Sequence, residues 1–485
     1  MTEPHELTAL EQAAALRGGE LGAVELVEHA LRRVERWDPA LAAFVTLTPE
    51  RALDAARAAE KLLASAGGAS AAGELPALLG VPTAIKDLAV TAGVRTTFGS
   101  PVYAGYVPDT DDDAARLLAA AGTISLGKTA VPEFGLPPYT EPAGRPPTVT
   151  PWDTGRLAGG SSGGAGAAVA GGLIPFAHGT DGGGSIRIPA SVCGLVGLKT
   201  SRGLVSRGPT GGDPLGLSVS GPLARTVSDA AAMLDALAVP VPGEPFGSPF
   251  SGAFLDAARR AAPGRLRIGR YSQPMLPDLT VDPACLAAYE STSRLLVELG
   301  HDVVDVDPGF DPEFVEVFET LWAVLAHGHP VPPEAEPLLR PLTRWWRARG
   351  AVVSGPEFML AAQAAQNLSR RVITGHLRVD VTLTPTLAQL PRPVGWFTDG
   401  GDPAHDPADD YARQQAFTPY TAIYNITGQP ALSLPLGWTE PTPDQPVLPV
   451  GVQLVGAPGA DGLLLELGAQ LEAAAPWAHR RPPTW

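Results

Sequence analysis

The 485-residue chain has very few cysteines. It contains only Cys193 and Cys285, which are too few for a disulfide framework or a cysteine-based zinc site. Both are expected to be small buried side chains. The scarcity of cysteine therefore argues against a protein held together by disulfide bonds or bound zinc.

Positive charge is also scarce. Lys and Arg number 35 against 51 Asp and Glu, which gives a formal net charge of −16 and argues against nucleic acid or an anionic membrane as a partner. No charge-free apolar run approaches the roughly 20 residues that a membrane span needs. The first residues, MTEPHELTALEQ, place acidic side chains where a signal peptide needs a basic region. We therefore expect a cytoplasmic enzyme with no membrane partner.

Glycine, by contrast, is abundant and is concentrated in one stretch. Residues 159–187 read GGSSGGAGAAVAGGLIPFAHGTDGGGSIR, in which two serine-bearing loops, at 159–164 and 181–185, flank an uncharged segment of helical length. A segment of this composition must be buried. Glycines around the serines permit backbone dihedrals that a side chain would forbid. The pattern predicts serines held on rigid turns, as a nucleophile and its oxyanion donors are held.

Ser185 is the strongest nucleophile candidate, because three glycines precede it and leave their N–H groups free to converge on an oxyanion. A simple glycine turn or a phosphate-binding loop is the alternative, although the GxxxxGK[ST] lysine is missing. A histidine base is not evident. His178 lies in what reads as an apolar turn, and His327 and His329 form an HxH without a third metal ligand in view.

A lysine in an apolar segment is the remaining candidate base. Lys86 lies within LLGVPTAIKDLAV, residues 78–90, which predicts a short buried strand. Lysines are rarely buried without a reason. Lys86 either pairs with a carboxylate such as Asp87 or snorkels to the surface, or it is a desolvated lysine whose pKa falls until it acts as a neutral base.

Three motifs carry a family resemblance. Lys86 in GVPTAIKDL, Ser161 in GGSSGG and Ser185 in GTDGGGSIRIPA resemble the lysine, the cis-peptide serine and the nucleophilic serine of the amidase signature family. Their order and separations, 161 − 86 = 75 and 185 − 161 = 24 residues, also fit that family. Further similar segments are GKTAVPEFG near 127, SGPLART near 220, NITGQPALSLPLG near 425 and PVGVQLVG near 449.

The resemblance implies a mechanism. Ser185 attacks the carbonyl, and Ser161, on a cis bond to Gly160, passes the proton to neutral Lys86. The implied oxyanion donors are the backbone N–H groups of Gly182, Gly183, Gly184 and Ser185.

Supporting roles are implied in the same way. Asp181 is expected to pair with Arg187, and Ser162 is expected to hydrogen-bond the network of the lysine and the first serine. Lys128 and Lys199 are interpreted as structural. No cofactor and no metal ion are expected.

The implied fold class is α/β, an amidase signature fold with a central mixed β-sheet of about eleven strands surrounded by helices. The alternation of predicted strands and helices agrees with it. It includes a βαβ unit that begins at Leu266, a helical region over 311–371 and a loop over 65–73. We expect one domain over 1–485, divided into an N-terminal helical region (1–73), a catalytic core (74–238), a variable helical and specificity region (239–375) and the C-terminal part of the core sheet (376–485).

The glycine at 182 distinguishes this sequence within the family, which more usually has threonine or a similar residue there. The resulting DGGGS is similar to that of 6-aminohexanoate cyclic-dimer hydrolases, and we expect it to enlarge or reshape the acyl pocket. The predicted activity is hydrolysis of a non-peptide amide in a small molecule, such as a linear or cyclic oligoamide or an aryl or alkyl amide. Association into a homodimer is left open.

Three other functions compete with this prediction. The same chemistry serves an esterase or a urethane (carbamate) hydrolase. An amidotransferase A-type subunit would use glutamine and protein partners. A non-catalytic binding protein on the same fold is the last alternative, and the intact Lys86, Ser161 and Ser185 argue against it.

Overall fold

The computed structural model describes residues 3–65, 75–210, 213–247, 252–276, 278–309, 313–402, 404–442 and 446–485. The loop predicted over 65–73 lies, beyond Ser65, outside these ranges. No helix in the described ranges is long and apolar enough to cross a membrane.

Helices and strands alternate along most of the chain. The helices are α1 (Ala9–Gly18), α2 (Ala23–Leu41), α3 (Pro49–Ser65), α4 (Asp113–Ala120), α5 (Gly163–Ala170), α6 (Arg187–Cys193), α7 (Val227–Leu237), α8 (Phe254–Arg260), α9 (Pro283–Glu298), α10 (Glu313–His327), α11 (Pro341–Ala351), α12 (Gly355–His376), α13 (Pro407–Phe417), α14 (Ile423–Thr427) and α15 (Asp461–Ala474). The strands are β1 (Phe44–Leu47), β2 (Pro82–Lys86), β3 (Ile124–Thr129), β4 (Val149–Thr150), β5 (Asp153–Leu157), β6 (Phe176–Asp181), β7 (Val196–Lys199), β8 (Val219–Ala224), β9 (Arg267–Arg270), β10 (Asp302–Asp305), β11 (Val381–Pro385), β12 (Ala431–Trp438) and β13 (Pro449–Gly456).

Eleven of these strands form the central β-structure, in two hydrogen-bonded groups. The larger sheet has the order β10-β9-β11-β13-β12-β7-β8-β6, and the smaller has the order β1-β3-β2. Strands β10, β9 and β11 are parallel to one another, as are β2 and β3, whereas the other neighbours in both sheets are antiparallel. The predicted mixed α/β sheet is therefore confirmed, with its strands divided into eight and three.

Side chains join the two sheets where edge strand β2 faces edge strand β6. Thr83 Oγ1 donates a hydrogen bond to the carbonyl oxygen of Phe176 at 3.2 Å, and the N–H of Lys86 donates to Nδ1 of His178 at 3.4 Å. Hydrogen bonds that involve side chains thus connect β2 and β6, whereas neighbouring strands within each sheet are paired by backbone hydrogen bonds. The join between the sheets consequently contains buried polar side chains.

Helix α5 packs against β2, β3 and β6, close to this join. All eight of its residues are buried. A Cβ added to Gly164 would lie 2.3 Å from the backbone nitrogen of Ala130 and 2.4 Å from the carbonyl oxygen of Ala43, so only glycine permits this approach. The uncharged segment is thus buried because its small residues let the helix contact neighbouring backbone directly.

Local sequence signals account for several boundaries. Helix α1 begins with a capping box in which the side chains of Thr8 and Glu11 accept each other's backbone N–H groups, and it ends at Gly19 with φ of 71°. The βαβ unit predicted from Leu266 is present as β9, α9 and β10 with parallel strands. Helices α10, α11 and α12 occupy most of the predicted helical region, and the predicted division of the chain into four regions stays a prediction.

Candidate active site

Lys86 is the last residue of β2 and reaches across the join between the sheets. Its Nζ donates hydrogen bonds to Ser161 Oγ at 2.8 Å and to the carbonyl oxygen of Thr180 at 3.0 Å. The side chain is fully buried. The structure therefore brings the lysine and the first serine of the sequence pattern into direct contact.

The environment of Lys86 favours a neutral amine. Burial lowers the pKa of Lys86 well below its ordinary value, the negative charge of Asp181 opposes this shift, and the positive charge of Arg207 adds to it. Among the described residues, no carboxylate lies within ion-pair distance of Lys86 Nζ. The carboxylate of Asp87 instead lies 3.6 Å from the amine of Lys128.

The loop that carries Ser161 is packed tightly on both sides. The Gly160–Ser161 peptide bond is cis. A Cβ on Gly160 would lie 2.6 Å from the backbone nitrogen of Tyr139, and one on Gly135 would lie 3.2 Å from Ser161 Oγ. These glycines allow two neighbouring loops to close around the serine.

Ser162 joins the network indirectly. Its hydroxyl donates to the carbonyl oxygen of Thr180 at 3.1 Å, and this oxygen also accepts the hydrogen bond from Lys86. Its backbone N–H donates to the carbonyl oxygen of Ser185 at 3.1 Å. Ser162 therefore links the lysine, through Thr180, to the second serine loop.

The second loop is organised around the carboxylate of Asp181, at the end of β6. Arg187 donates to both carboxylate oxygens, at 2.9 and 3.0 Å, and both side chains are fully buried. Burial opposes ionisation of Asp181, yet the charge and hydrogen bonds of Arg187 hold its pKa below the ordinary value. Asn425, on α14, donates to the carboxylate and to the carbonyl oxygen of Asp181. The ion pair thus fixes the path of the chain through the glycines.

The four backbone N–H groups expected as oxyanion donors do not have the same surroundings. The N–H of Gly184 donates to the carboxylate of Asp181 at 2.7 Å, so it is engaged inside the loop. The N–H groups of Gly182, Gly183 and Ser185 make no hydrogen bond to any other residue in the described ranges. Of these three residues, Gly183 and Ser185 line the cavity described next, whereas the N–H of Gly184 is already engaged in this conformation.

Ser185 is 7% exposed and lies at the wall of a cavity of about 750 Å³, a volume that includes its open mouth. No Asp, Glu, Lys, Arg or His lines this cavity in the described part of the chain. Its lining residues are Leu136, Pro138, Gly183, Ser185, Ile188, Met275, Leu276, Phe314, Val315, Phe318, Trp322, Tyr411, Gln414, Gln415, Thr418, Pro419 and Ala422.

Helix α10 supplies an aromatic wall that the sequence analysis did not place. Phe314, Phe318 and Trp322 recur every four residues, and successive rings are nearly parallel, with centroids 6.1 and 5.2 Å apart. A Cβ on Gly182 would lie 3.5 Å from the ring of Trp322. Trp322 therefore lies beside the loop at Gly182, at ordinary van der Waals distance from where a side chain would begin. The i, i+4 spacing of the aromatics was the available signal.

The histidines do not act as the base of this arrangement. His178 is part of β6 and not of a turn, and it is fully buried beside Lys86 and Ser220. Burial lowers the pKa of His178 to about 3, so it is neutral. His329 stacks on the ring of Phe134, with centroids 4.4 Å apart, instead of forming a ligand set.

One group in the described ranges has the ligand types and spacing of a metal site. Glu3, His5 and His29 have ligand atoms within 4.8 Å of one another. None of the three lines the cavity at Ser185. His5 Nδ1 and His29 Nε2 lie 3.1 Å apart, which a hydrogen bond between the rings explains.

A buried lysine against one serine, with a second serine beside free N–H groups in a cavity, supplies the base, the nucleophile and the oxyanion donors that acyl transfer by a serine hydrolase uses. The amidase family model matches residues 25–465. The chain belongs to the amidase family, and it is a hydrolase that acts on carbon–nitrogen bonds other than peptide bonds.

Relatives resemble the chain over nearly its whole length. The protein AmiB2 of Mycobacterium tuberculosis is 40% identical, over 98% of this chain and 97% of its own. A 6-aminohexanoate-cyclic-dimer hydrolase of Paenarthrobacter ureafaciens is 35% identical, over 98% of this chain and 96% of its own. A solved structure of 6-aminohexanoate cyclic dimer hydrolase superposes with a TM-score of 0.88 at 32% identity and covers all of both chains.

Proposed function

We propose that the protein hydrolyses uncharged, largely apolar amides through an acyl intermediate on Ser185, with Ser161 and Lys86 as the proton relay. The observation that carries this proposal is the contact between Lys86 Nζ and Ser161 Oγ at 2.8 Å. Both groups are buried, and the lysine has no carboxylate partner among the described residues. A neutral amine in this position accepts a proton from a serine hydroxyl.

The first half of the reaction forms the acyl-enzyme. Ser185 Oγ attacks the amide carbonyl carbon, its proton passes to Ser161 Oγ, and the Ser161 proton passes to Lys86 Nζ. One N–H of Lys86 is held by the carbonyl oxygen of Thr180, and rotation about the Cε–Nζ bond lets the lone pair of the neutral amine accept the proton from Ser161. The free N–H groups of Gly182, Gly183 and Ser185 stabilise the oxyanion.

The second half reverses the proton path. The relay returns the proton to the leaving nitrogen as the carbon–nitrogen bond breaks, and the amine departs. Water then attacks the acyl-Ser185 ester, with the relay again accepting a proton. The carboxylic acid leaves and Ser185 regains its hydroxyl proton.

The cavity supports the substrate class. Because its described lining carries no charged side chain, a charged group in the substrate would lose hydration without gaining an ionic partner. Free glutamine carries an ammonium and a carboxylate beside its amide, so the glutamine-dependent alternative fits poorly. A neutral amide with methylene or aryl groups fits well, and the name of the Paenarthrobacter relative includes such a compound, the 6-aminohexanoate cyclic dimer.

Active-site labelling combined with turnover tests the proposal. The native enzyme and Ser185→Ala are treated with a fluorophosphonate and are assayed with acyl p-nitroanilides, the 6-aminohexanoate cyclic dimer and glutamine. The native enzyme should be labelled on Ser185 and should cleave at least one neutral amide, whereas Ser185→Ala should do neither. Ser291→Ala, a change on α9, is the matched control.

Two results would overturn the proposal. One is labelling that persists in Ser185→Ala. The other is a kcat/KM for glutamine that exceeds that for every neutral amide.

A further inference from the structure

Helix α13 forms a wall between the cavity at Ser185 and a second cavity, whose lining includes charged side chains. Tyr411, Gln414 and Gln415 line the cavity at Ser185. Pro407 and Asp410 line the other one. Gln414 follows Asp410 by one helical turn, so their side chains meet on the helix surface.

A chain of buried hydrogen bonds crosses this wall. Tyr139 Oη donates to Asp410 Oδ2 at 2.5 Å, and Gln414 Nε2 donates to Asp410 Oδ1 at 2.7 Å. Tyr139, Asp410 and Gln414 are 3%, 3% and 6% exposed. Tyr139 also packs against Gly160, beside Ser161. The chain therefore runs from a tyrosine whose backbone packs beside the Ser161 loop to a residue that lines the cavity at Ser185.

The chemistry of the chain fixes the orientation of the Gln414 amide. Burial raises the pKa of Asp410 to about 6, so near neutral pH its carboxylate is ionised and only accepts hydrogen bonds, and the amide turns its nitrogen to it. Its oxygen is then turned away from Asp410, and Gln414 lines the cavity at Ser185. No residue in the described ranges donates a hydrogen bond to Gln414 Oε1. The hydroxyl of Thr418, a nearby polar group of the lining, is already 2.7 Å from that of Thr421.

We propose that Gln414 is a specificity-determining residue whose Oε1 accepts a hydrogen bond from a second N–H group of the substrate, away from the bond that is cleaved. Asp410 is the positioning residue that holds the amide in this orientation. This inference rests on the proposed amide hydrolysis at Ser185, and it narrows the substrate class to amides that carry a further N–H donor, as linear and cyclic oligoamides do.

A physical argument makes this contact selective. A buried acceptor that loses water to a ligand without a donor stays unsatisfied, so a site built around a hydrogen bond rejects analogues that lack the donor. The apolar walls of the cavity offer no compensation. An analogue with oxygen in place of the N–H should therefore be a poor substrate despite its similar shape.

A matched substrate series tests the proposal. Acetamidoalkanoyl p-nitroanilides with two to six methylenes between the carbonyl and the internal N–H are compared with acetoxyalkanoyl counterparts, in which oxygen replaces that N–H. Release of p-nitroaniline reports cleavage of the same anilide bond in both. For the chain length that reaches Gln414, kcat/KM should favour the acetamido compound by roughly tenfold or more.

Three variants test whether Gln414 causes the ratio of kcat/KM between the acetamido and acetoxy compounds. Gln414→Met should bring the ratio close to one, mainly through a higher KM for the acetamido compound. Asp410→Asn should lower the ratio because asparagine can donate to Gln414 and let its amide turn round. Gln363→Met, an exposed change on α12, should leave the ratio unchanged.

The outcomes separate this inference from the function on which it rests. If the native enzyme cleaves both series equally at every length, or if Gln414→Met lowers kcat/KM equally for both compounds, the role of Gln414 is refuted while amide hydrolysis stands. If the native enzyme releases no p-nitroaniline from any compound and is not labelled on Ser185, the proposed function itself fails.

Discussion

Lys86 and Lys128 are two buried lysines on paired parallel strands. Lys86 ends β2 and pairs in register with Thr129 of β3, and Lys128 precedes that threonine. Lys86 is 0% and Lys128 is 1% exposed. Lys128 Nζ lies 3.6 Å from the carboxylate of Asp87 and also donates to Thr96 Oγ1 and to the carbonyl oxygen of Ala89. Lys86 contacts only uncharged oxygens within hydrogen-bond distance in the described structure.

The difference shows that burial alone does not decide whether a lysine can accept a proton. The presence or absence of a carboxylate partner decides it as well. Burial lowers the pKa of Lys128 to about 8, with the charge of Asp87 opposing the shift. Burial also lowers the pKa of Lys86 well below its ordinary value, and no carboxylate contacts its amine, although the charge of Asp181 opposes the shift from farther away. One lysine is half of an ion pair, and the other is suited to accept a proton. Four changes test this contrast.

The largest expected effect is on catalysis. Lys86→Met removes the proposed base and should lower kcat/KM by about 10²–10⁴-fold, the range for general acid–base catalysis. The fold should persist because the variant removes an amine that has no ionic partner. Steady-state kinetics together with thermal unfolding measure both effects. Retention of more than about a tenth of the native kcat/KM would exclude Lys86 as the base.

Lys128→Met should act mainly on stability. It leaves the carboxylate of Asp87 buried without its cation, and breaking a buried ion pair in this way costs about 3–5 kcal/mol of unfolding free energy. Chemical denaturation measures this loss, and activity per folded molecule should be largely retained. Adding Asp87→Asn should recover part of the stability. A stable Lys128→Met that is inactive would reverse the roles assigned to the two lysines.

The pH dependence of activity separates the two titrations. Lys86 acts without its proton, so kcat/KM should be low on the acid side and rise to a plateau as pH passes its lowered pKa. Lys128 titrates near pH 8 and could mimic that limb. Lys128→Arg keeps a cation that does not titrate in this range. The rising limb should keep its position in this variant, and its disappearance would assign it to Lys128.

The smallest effect is expected at Ser162. Ser162→Ala removes the hydroxyl that donates to the carbonyl oxygen of Thr180 and accepts from the N–H of the same residue. One hydrogen bond contributes about 0.5–1.5 kcal/mol, so kcat/KM should fall about two- to tenfold as Lys86 loses part of its fixed orientation. An unchanged kcat/KM and an unchanged pH profile would show that Thr180 holds the lysine without this support.

Periodicity and composition predicted much of the fold. The alternating pattern from Leu266 gave the βαβ unit, and the uncharged glycine and alanine segment gave the buried helix α5. The division of the central strands into groups of eight and three could not be predicted in this way. It depends on which strand edges meet, and the strands that meet there are far apart in the sequence.

The site was predicted unevenly. Lys86, Ser161 and Ser185 were predicted from motifs that resemble those of a known family, and the structure places Lys86 in contact with Ser161. The aromatic wall with Trp322 and the Asp410–Gln414 pair were not found, because each belongs to an ordinary helix whose register against the cavity is a tertiary property. Gly182 was expected to enlarge or reshape the acyl pocket, and this stays a prediction; in the structure it lies beside Trp322.

The sequence by itself determined the alternation of strands and helices typical of an α/β protein and the two glycine loops, since these follow from composition, periodicity and local backbone freedom, and its motifs carried the family resemblance that names Lys86, Ser161 and Ser185. Only the tertiary structure decided which lysine is without a carboxylate. Asp87 adjoins Lys86 in the chain, yet it pairs with Lys128 because consecutive side chains of an extended segment point to opposite sides. Strand pairing then brings Lys128 to Asp87 and leaves Lys86 facing the serines.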